Sequence, residues 1–208
     1  MTPRIEDKTV QHLLRKLNAT HTPLYLKVEP EPNAQIKDCF IAVREKVEKQ
    51  GGRMILGWQV WKTEHLVEAE CHAVWEDEEE NLHDITPKEI NVSEILFVED
   101  ENIVYEDKQI DNVRMNITDN DLVDDLILVN EAIFKFDNKG ERALLYDLSR
   151  VLTEEQIRYK AGLMKLKEII SVILVSGGRR KSQCPCQSGK RYRDCHGHDL
   201  KKRLEKDV

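Results

Sequence analysis

Three cysteines and one histidine lie close together near the C-terminus, at Cys184, Cys186, Cys195 and His196. Cysteine sulfur and histidine nitrogen are the usual ligands of structural zinc sites, which are closed tetrahedra of four such groups. Pro185 turns the backbone between the first two sulfurs, and the adjacent Cys195-His196 pair completes the set. The pattern therefore predicts one structural Zn²⁺ ion. A segment this short has almost no hydrophobic core, so metal binding would supply most of its folding free energy.

The segment around these ligands resembles the SEC-C motif, which occurs at the C-terminus of the preprotein translocase motor SecA and in many other bacterial proteins. Ser188, Gly189 and Tyr192, between the two ligand pairs, carry the resemblance, whereas Gln187 stands where the family usually has glycine. His198 is a spare imidazole that could replace His196. Because the module makes protein and lipid contacts in SecA, the resemblance implies docking on a partner protein.

Charge is divided unevenly along the chain. Residues 179–208 contain ten Lys and Arg against four Asp and Glu, so this tail is at +6, and the net charge of −7 leaves −13 for residues 1–178. The basic tail, with Tyr192 among its arginines, is the part that would meet an anionic partner. Nucleic-acid binding would rest on this tail alone and is disfavoured; a solvated basic tail is the simpler alternative.

Cysteine usage and hydropathy predict a cytoplasmic protein. The chain has five cysteines, and the clustering of three of them near the C-terminus is typical of metal binding rather than of a secreted disulfide framework. The N-terminal residues lack the apolar core of a signal peptide, and no stretch is apolar enough to predict a transmembrane segment.

Hydrophobic spacing predicts an α+β body followed by helices, and the cysteine-containing segment comes after them. The predicted divisions are an α+β core at 1–118, a helical segment at 119–178, and a basic linker with the zinc knuckle at 179–208. Helices are predicted at 5–17, from Cys39 to a stop at Gly51-Gly52, along 122–136, over 141–152, and from a Thr153–Gln156 capping box to Ser176; strands are predicted at 24–28 and between 53 and 118.

Cys39, His72 and Asp84 form a second candidate site. A reactive cysteine needs a stabilised thiolate, and Cys39 falls in the first turn of a predicted helix that Asp38 would cap. It also needs an imidazole and a third group that orients the ring. If residues 66–75 and 82–87 form a hairpin with His72 opposite Asp84, these two side chains lie together on one face, and Cys71 points to the other.

The same residues resemble the transglutaminase-like branch of the papain-like fold over residues 33–98. The resemblance rests on a helix-capping Cys39, a Gly-rich turn into a strand, a His72 motif that ends in Trp75, and an Asp84 before Thr and Pro. It implies a papain-like core with an antiparallel sheet, in which Cys39 is the nucleophile, His72 the general base and Asp84 the orienting acid. Gln35 would supply an oxyanion donor. The family's usual Trp after the nucleophile is Phe40 here.

Two hypotheses about function follow. The first is a cysteine hydrolase or acyl transferase acting on an amide or acyl bond through Cys39. The second is a non-catalytic adaptor of the same fold, which docks on a partner protein through its zinc knuckle. In the second, Cys39 is a buried small apolar residue, His72 a satisfied strand histidine, and Asp84 a turn cap.

Overall fold

The computed structural model describes residues 1–145 and 148–205, which separate into two compact units. The first comprises Met1–Tyr105 and Asn112–Ile117, and the second comprises Glu106–Asp111 and Thr118–Val208. The described residues of 119–178 and of 179–205 fall in the same unit. No helix among the described residues is long and apolar enough to cross a bilayer.

The first unit is built on an antiparallel sheet that is nearly barrel-shaped. Its strand order is β1-β5-β2-β3-β4, with β6 also paired to β3, and a bridge between Val28 and Asp84 joins the two edges. The strands are β1 (Leu24–Lys27), β2 (Arg53–Lys62), β3 (Leu66–Glu76), β4 (Leu82–His83), β5 (Glu94–Glu99) and β6 (Val113–Asn116).

Alternation along β3 supplies side chains to two apolar clusters. Val74 packs with Leu26 and Phe97 in one cluster, while its neighbour Ala73 packs with Cys39 and Val43 in the other. The middle of β3 is therefore buried on both sides. A polar side chain at its centre must find partners inside the protein.

Two helices accompany the sheet in this unit. Helix α1 (Lys8–Leu17) begins where Asp7 accepts a hydrogen bond from the N–H of Thr9 at 2.8 Å. Helix α2 (Cys39–Gln50) ends at Gly51, whose φ of 75° lies in the left-handed region that glycine tolerates. The predicted start of α2 at Cys39 and its glycine stop are confirmed.

The second unit is helical. It contains α3 (Asp121–Asp137), α4 (Glu154–Val175) and the short α5 (Leu200–Leu204). Thr153 and Gln156 form the predicted capping box at the start of α4. Phe136 and Leu163 pack the first two helices together.

The helix predicted over residues 141–152 is wrong where the structure describes it. A 3₁₀ turn covers Gly140–Leu144, and residues 148–152 are not helical; residues 146 and 147 lie outside the described residues. Leu144 is 62% exposed and Val151 is 49% exposed. Since a short helix needs an apolar face buried against a neighbour, these side chains could not stabilise one.

Candidate functional site

Cys39 is the first residue of α2 and is buried, with 6% of the residue exposed. Asp38 occupies the N-cap position, but its side chain makes no capping hydrogen bond in the described structure. The first N–H groups of a helix carry partial positive charge. A thiolate at position 39 is therefore stabilised by the helix that it begins.

His72 lies in the middle of β3, with 6% of its side chain exposed. Its Nε2 atom is 3.0 Å from Oδ1 of Asp84. The thiol of Cys39 is also within hydrogen-bonding reach of the imidazole. The ring of Phe97 meets the imidazole edge-on, with centroids 6.4 Å apart. The structure thus brings His72 together with both residues that the sequence grouped with it.

Asp84 is fully buried and directly follows β4. Its backbone leaves the ladder with β3 and bridges to Val28, and its carbonyl accepts a hydrogen bond from the N–H of Glu29 at 2.9 Å. The carboxylate Oδ1 also accepts from the N–H of Thr86 at 3.3 Å. The contact between the two sheet edges therefore holds the carboxylate toward His72.

The hairpin register differs from the predicted one. We predicted that His72 lies directly opposite Asp84, whereas the ladder pairs Trp75 with His83. The cause is the turn, in which the Asp77 carboxylate accepts backbone hydrogen bonds from two later residues, each at 2.9 Å. This moves each cross-strand partner by two residues, which preserves the face on which a side chain lies. His72 and Asp84 therefore still meet.

Lys88 completes the cluster and was missed by the sequence analysis. Its Nζ lies 2.7 Å from Oδ2 of Asp84 and 3.1 Å from Nε2 of His72, and 7% of its side chain is exposed. Lysines are almost never buried this deeply unless they are paired. Lys88 follows Asp84 by four residues, but that spacing predicts a contact only inside a helix, and this segment is not helical.

The buried charges of this cluster shift one another's pKa values. Burial raises the pKa of Cys39, but the His72 imidazolium, a hydrogen bond from the N–H of Ala73 and the Lys88 ammonium together bring it below its ordinary value. Burial lowers the pKa of His72, yet the Cys39 thiolate and Asp84 raise it to about 9. These directions favour a thiolate–imidazolium pair at neutral pH.

Asp84 and Cys71 show the two opposite effects of surroundings. Burial raises the pKa of Asp84, but His72 and Lys88 hold it below its ordinary value. Burial raises the pKa of Cys71 to about 12, because no cation compensates it in the described surroundings. The cations beside Asp84 thus outweigh the effect of its burial, whereas burial decides the pKa of Cys71.

Gln35, the predicted oxyanion donor, lies in an exposed loop. Its side-chain N–H donates to the carbonyl of Asn33 at 3.3 Å. In the described structure the side chain is engaged with its own loop rather than with Cys39. Its catalytic role remains a prediction.

The C-terminal ligand set converges in space. The donor atoms of Cys184, Cys186, Cys195 and His196 all lie within 4.8 Å of one another. Nδ1 of His196 is 3.2 Å from Sγ of Cys184 and 3.3 Å from Sγ of Cys195, and the sulfurs of Cys186 and Cys195 are 3.5 Å apart. Tetrahedral zinc separates neighbouring donors by about 3.5–3.8 Å. The four residues could therefore hold a metal ion, and three sulfurs with one imidazole fit zinc.

A tight hairpin positions the ligands. Gln183 and Arg191 form an antiparallel bridge, and the N–H of Cys184 donates to the carbonyl of Lys190 at 2.9 Å. Gln187 has a φ of 63°, in the left-handed region. This is the position at which the resembled family usually has glycine, so the departure carries a backbone cost.

Tyr192 anchors this hairpin to α3. It is fully buried, its hydroxyl makes no hydrogen bond in the described structure, and Oδ2 of the nearby Asp125 lies 3.0 Å from Nε of Arg180. A Cβ on Gly197 would lie 2.4 Å from the Tyr192 ring, so this close packing requires glycine. Burial raises the pKa of Asp125 to about 6 against the opposing charge of Arg180.

The basic linker also contacts α3 and the residues before it. Arg179 pairs with Asp119 at 2.8 Å, and the side-chain amide of Asn120 donates to the carbonyl of Gly178 at 2.9 Å. These contacts join the basic linker to the helical unit within the described residues. The knuckle belongs to the helical unit because a buried tyrosine and several charge pairs hold it there.

Two other histidines, His198 and His21, are not members of this four-residue cluster. His198 lies outside it, 3.5 Å from Asp199 and largely exposed. In the first unit, His21, Glu99 and Glu101 bring one donor atom each within 4.8 Å of one another at the surface. Such exposed acidic groups are common without a metal.

Comparison with known proteins supports the C-terminal site. The SEC-C motif family matches residues 180–197, which include all four metal-ligand candidates. No curated protein and no solved structure matches the chain. The comparisons give no support to a transglutaminase-like identity for the N-terminal region, which stays a hypothesis. The chain thus carries a SEC-C motif, with a Cys/His cluster able to bind metal.

Proposed function

We propose that the first unit is a cysteine hydrolase or acyl transferase, and that the SEC-C motif holds one structural zinc ion. The observation that supports the enzyme is the buried cluster at the N-terminus of α2, in which His72 hydrogen-bonds Asp84 and lies close enough to Cys39 to lower its pKa. A nucleophile, a base within reach and a group that orients the base form the arrangement of covalent acyl-transfer sites. The zinc site is closed by four protein ligands and would serve folding rather than chemistry.

In the proposed reaction, the Cys39 thiolate attacks the carbonyl carbon of an amide or ester. The bond to the leaving group breaks, and the His72 imidazolium gives its proton to the leaving amine or alcohol, which leaves a thioester on Cys39. Water or an amine then attacks the thioester, His72 takes its proton, and Cys39 leaves as the thiolate. Asp84 accepts a hydrogen bond from the imidazole throughout, and the N-terminal turn of α2 favours the developing oxyanion.

Labelling with neutral iodoacetamide at pH 7 tests the nucleophile. Peptide mass mapping of the native protein would give separate rates for Cys39 and Cys71. We expect Cys39 to react about tenfold faster or more, because its thiolate is stabilised and that of Cys71 is not. A Cys39 rate no higher than that of Cys71 would reject the enzyme.

A generic acyl donor tests the covalent step. p-Nitrophenyl acetate should release a burst of p-nitrophenol and leave residue 39 acetylated, and both should vanish in Cys39→Ala. The matched control is Cys71→Ala, which removes the neighbouring buried cysteine and should keep the burst. Acetylation spread over lysines with no burst would argue against the proposed reaction.

The second candidate is the non-catalytic adaptor, and the low exposure of Cys39 favours it. At 6% exposed, the sulfur is reached by a substrate only after nearby side chains move. In this reading the cluster is a buried polar network, and the exposed basic residues Lys190, Arg191 and Arg193 meet a protein partner. Equal slow labelling of Cys39 and Cys71 would support it.

A further inference from the structure

We propose that Lys88 is a positioning residue that neutralises Asp84, so that the Asp84–Lys88 pair orients His72 without exposing it to the full charge of a carboxylate. The inference rests on the proposed function, in which His72 moves protons. It assigns to Lys88 a role that neither the sequence pattern nor any comparison indicates.

The geometry of the carboxylate carries the argument. Asp84 presents one oxygen to each partner, with Oδ1 3.0 Å from His72 Nε2 and Oδ2 2.7 Å from Lys88 Nζ. All three side chains are at most 7% exposed, so water screens these charges little. The pair therefore has a net charge near zero while it keeps an oxygen that accepts a hydrogen bond from the imidazole.

A neutral orienting group matters because of what His72 must do. A bare buried carboxylate would hold the imidazolium so firmly that it would be a poor acid toward the leaving group. Lys88, whose ammonium lies 3.1 Å from Nε2, acts against that charge and lowers the pKa of His72. The charged and titratable groups that face the imidazole in the described structure are Cys39 from α2, and Asp84 and Lys88 from the segment after β4.

The test is the pKa of His72, measured by NMR in protein with ¹⁵N-labelled histidine. The chain has seven histidines, so the His72 signals are assigned by their loss in His72→Gln. Every arm also carries Cys39→Ala, because thiolate and imidazolium otherwise titrate as one coupled pair. The ¹⁵N shifts of the ring also report whether Nε2 bears the proton, as donation to Asp84 requires.

Three variants are compared with this parent. Lys88→Met should raise the pKa of His72 by about 1 unit or more, because it leaves the carboxylate unbalanced. Lys88→Arg keeps the positive charge, so the pKa of His72 should stay near that of the parent. The double variant Asp84→Asn/Lys88→Met replaces the neutral ion pair by a neutral amide, so its His72 pKa should also be close to that of the parent.

Two results overturn the inference: an unchanged pKa in Lys88→Met, or an equal rise in Lys88→Met and in the double variant. If Lys88→Met does not fold, the charge-balanced double variant decides, and a shift of its His72 pKa by more than about 1 unit rejects the idea. Failure of the proposed function is separate. Slow labelling of Cys39 would reject the proposed enzyme, but it would not change the measured effect of Lys88 on the pKa of His72.

Discussion

The two units of this protein each place cysteine beside histidine, yet the two clusters differ in kind. In the first unit, Cys39 and His72 are buried and their charges are balanced by Asp84 and Lys88. In the second, three cysteines and one histidine converge on a point at which a metal fits. In the cluster around Cys39, protein groups compensate the charges, whereas the cluster around Cys184 could hold a metal ion. The two clusters therefore differ in the partners of their cysteines: charged protein groups surround Cys39, whereas the three C-terminal cysteines lie beside one another and His196.

Removal of the ion should have the largest effect. We expect Cys184→Ser to lose bound zinc and to destabilise the second unit by roughly 5 kcal/mol or more, because in the proposed site metal binding would supply most of the folding free energy of the knuckle. Metal analysis and hydrogen exchange across residues 180–205 measure both effects. The control is Cys71→Ala, which should keep one zinc per chain. Unchanged zinc content in Cys184→Ser would show that the C-terminal cluster does not hold the ion, and the contrast between the two clusters would fail.

Removal of the buried carboxylate tests the charge balance in the first unit. Asp84→Ala should lower the free energy of unfolding by about 3–5 kcal/mol, because it leaves Lys88 buried without a counter-charge. The double variant Asp84→Ala/Lys88→Met should recover most of that loss. Denaturant unfolding measures both, and a loss below about 1 kcal/mol in Asp84→Ala would mean that water already compensates the lysine.

The pH dependence of thiol labelling distinguishes Cys39 from Cys71. The pKa of Cys71 is raised to about 12, so its labelling rate should rise about tenfold per pH unit between pH 6 and 9. The pKa of Cys39 lies below its ordinary value, so its rate should change much less over that range. His72→Ala should restore a steep rise at Cys39. Parallel slopes for the two cysteines in the native protein would contradict the ion pair.

A smaller effect concerns the anchor of the knuckle. Tyr192→Phe keeps the buried ring but removes the hydroxyl, which is buried near Asp125. We expect the stability of the second unit to change by at most about 1 kcal/mol with zinc still bound, because the hydroxyl makes no hydrogen bond in the described structure. Thermal unfolding with metal analysis checks this. Loss of zinc in this variant would show that the anchor and the metal site are one cooperative element.

The smallest effect is expected at the turn between the ligand pairs. Gln187→Gly removes the backbone strain of a left-handed φ, but glycine also increases the conformational entropy of the unfolded chain. The two effects nearly cancel, so the free energy of unfolding should change by less than about 1 kcal/mol. Gly189→Ala is the matched control, because its φ of 71° also lies in the left-handed region and alanine there should destabilise. Thermal unfolding of both measures the difference.

Local patterns predicted the parts of each cluster that lie close together in sequence. The ligands at 184–196 share one hairpin, so spacing and residue type were sufficient. The start of α2 at Cys39 also followed from local signals. The hairpin register did not, because the Asp77 side chain selected a turn that residue types alone leave open.

The amino-acid sequence by itself determined the cluster of candidate metal ligands, the position of Cys39 on its helix and the capping box of α4, because each depends on residues within a turn or two. Only the tertiary structure decided that Lys88 is buried against Asp84, that Tyr192 packs on α3, and that the linker is part of the helical unit. Burial and long-range charge pairing depend on which distant surfaces meet. The candidate ligand set around His196 therefore follows from local spacing, whereas the charged surroundings of His72 follow from the fold.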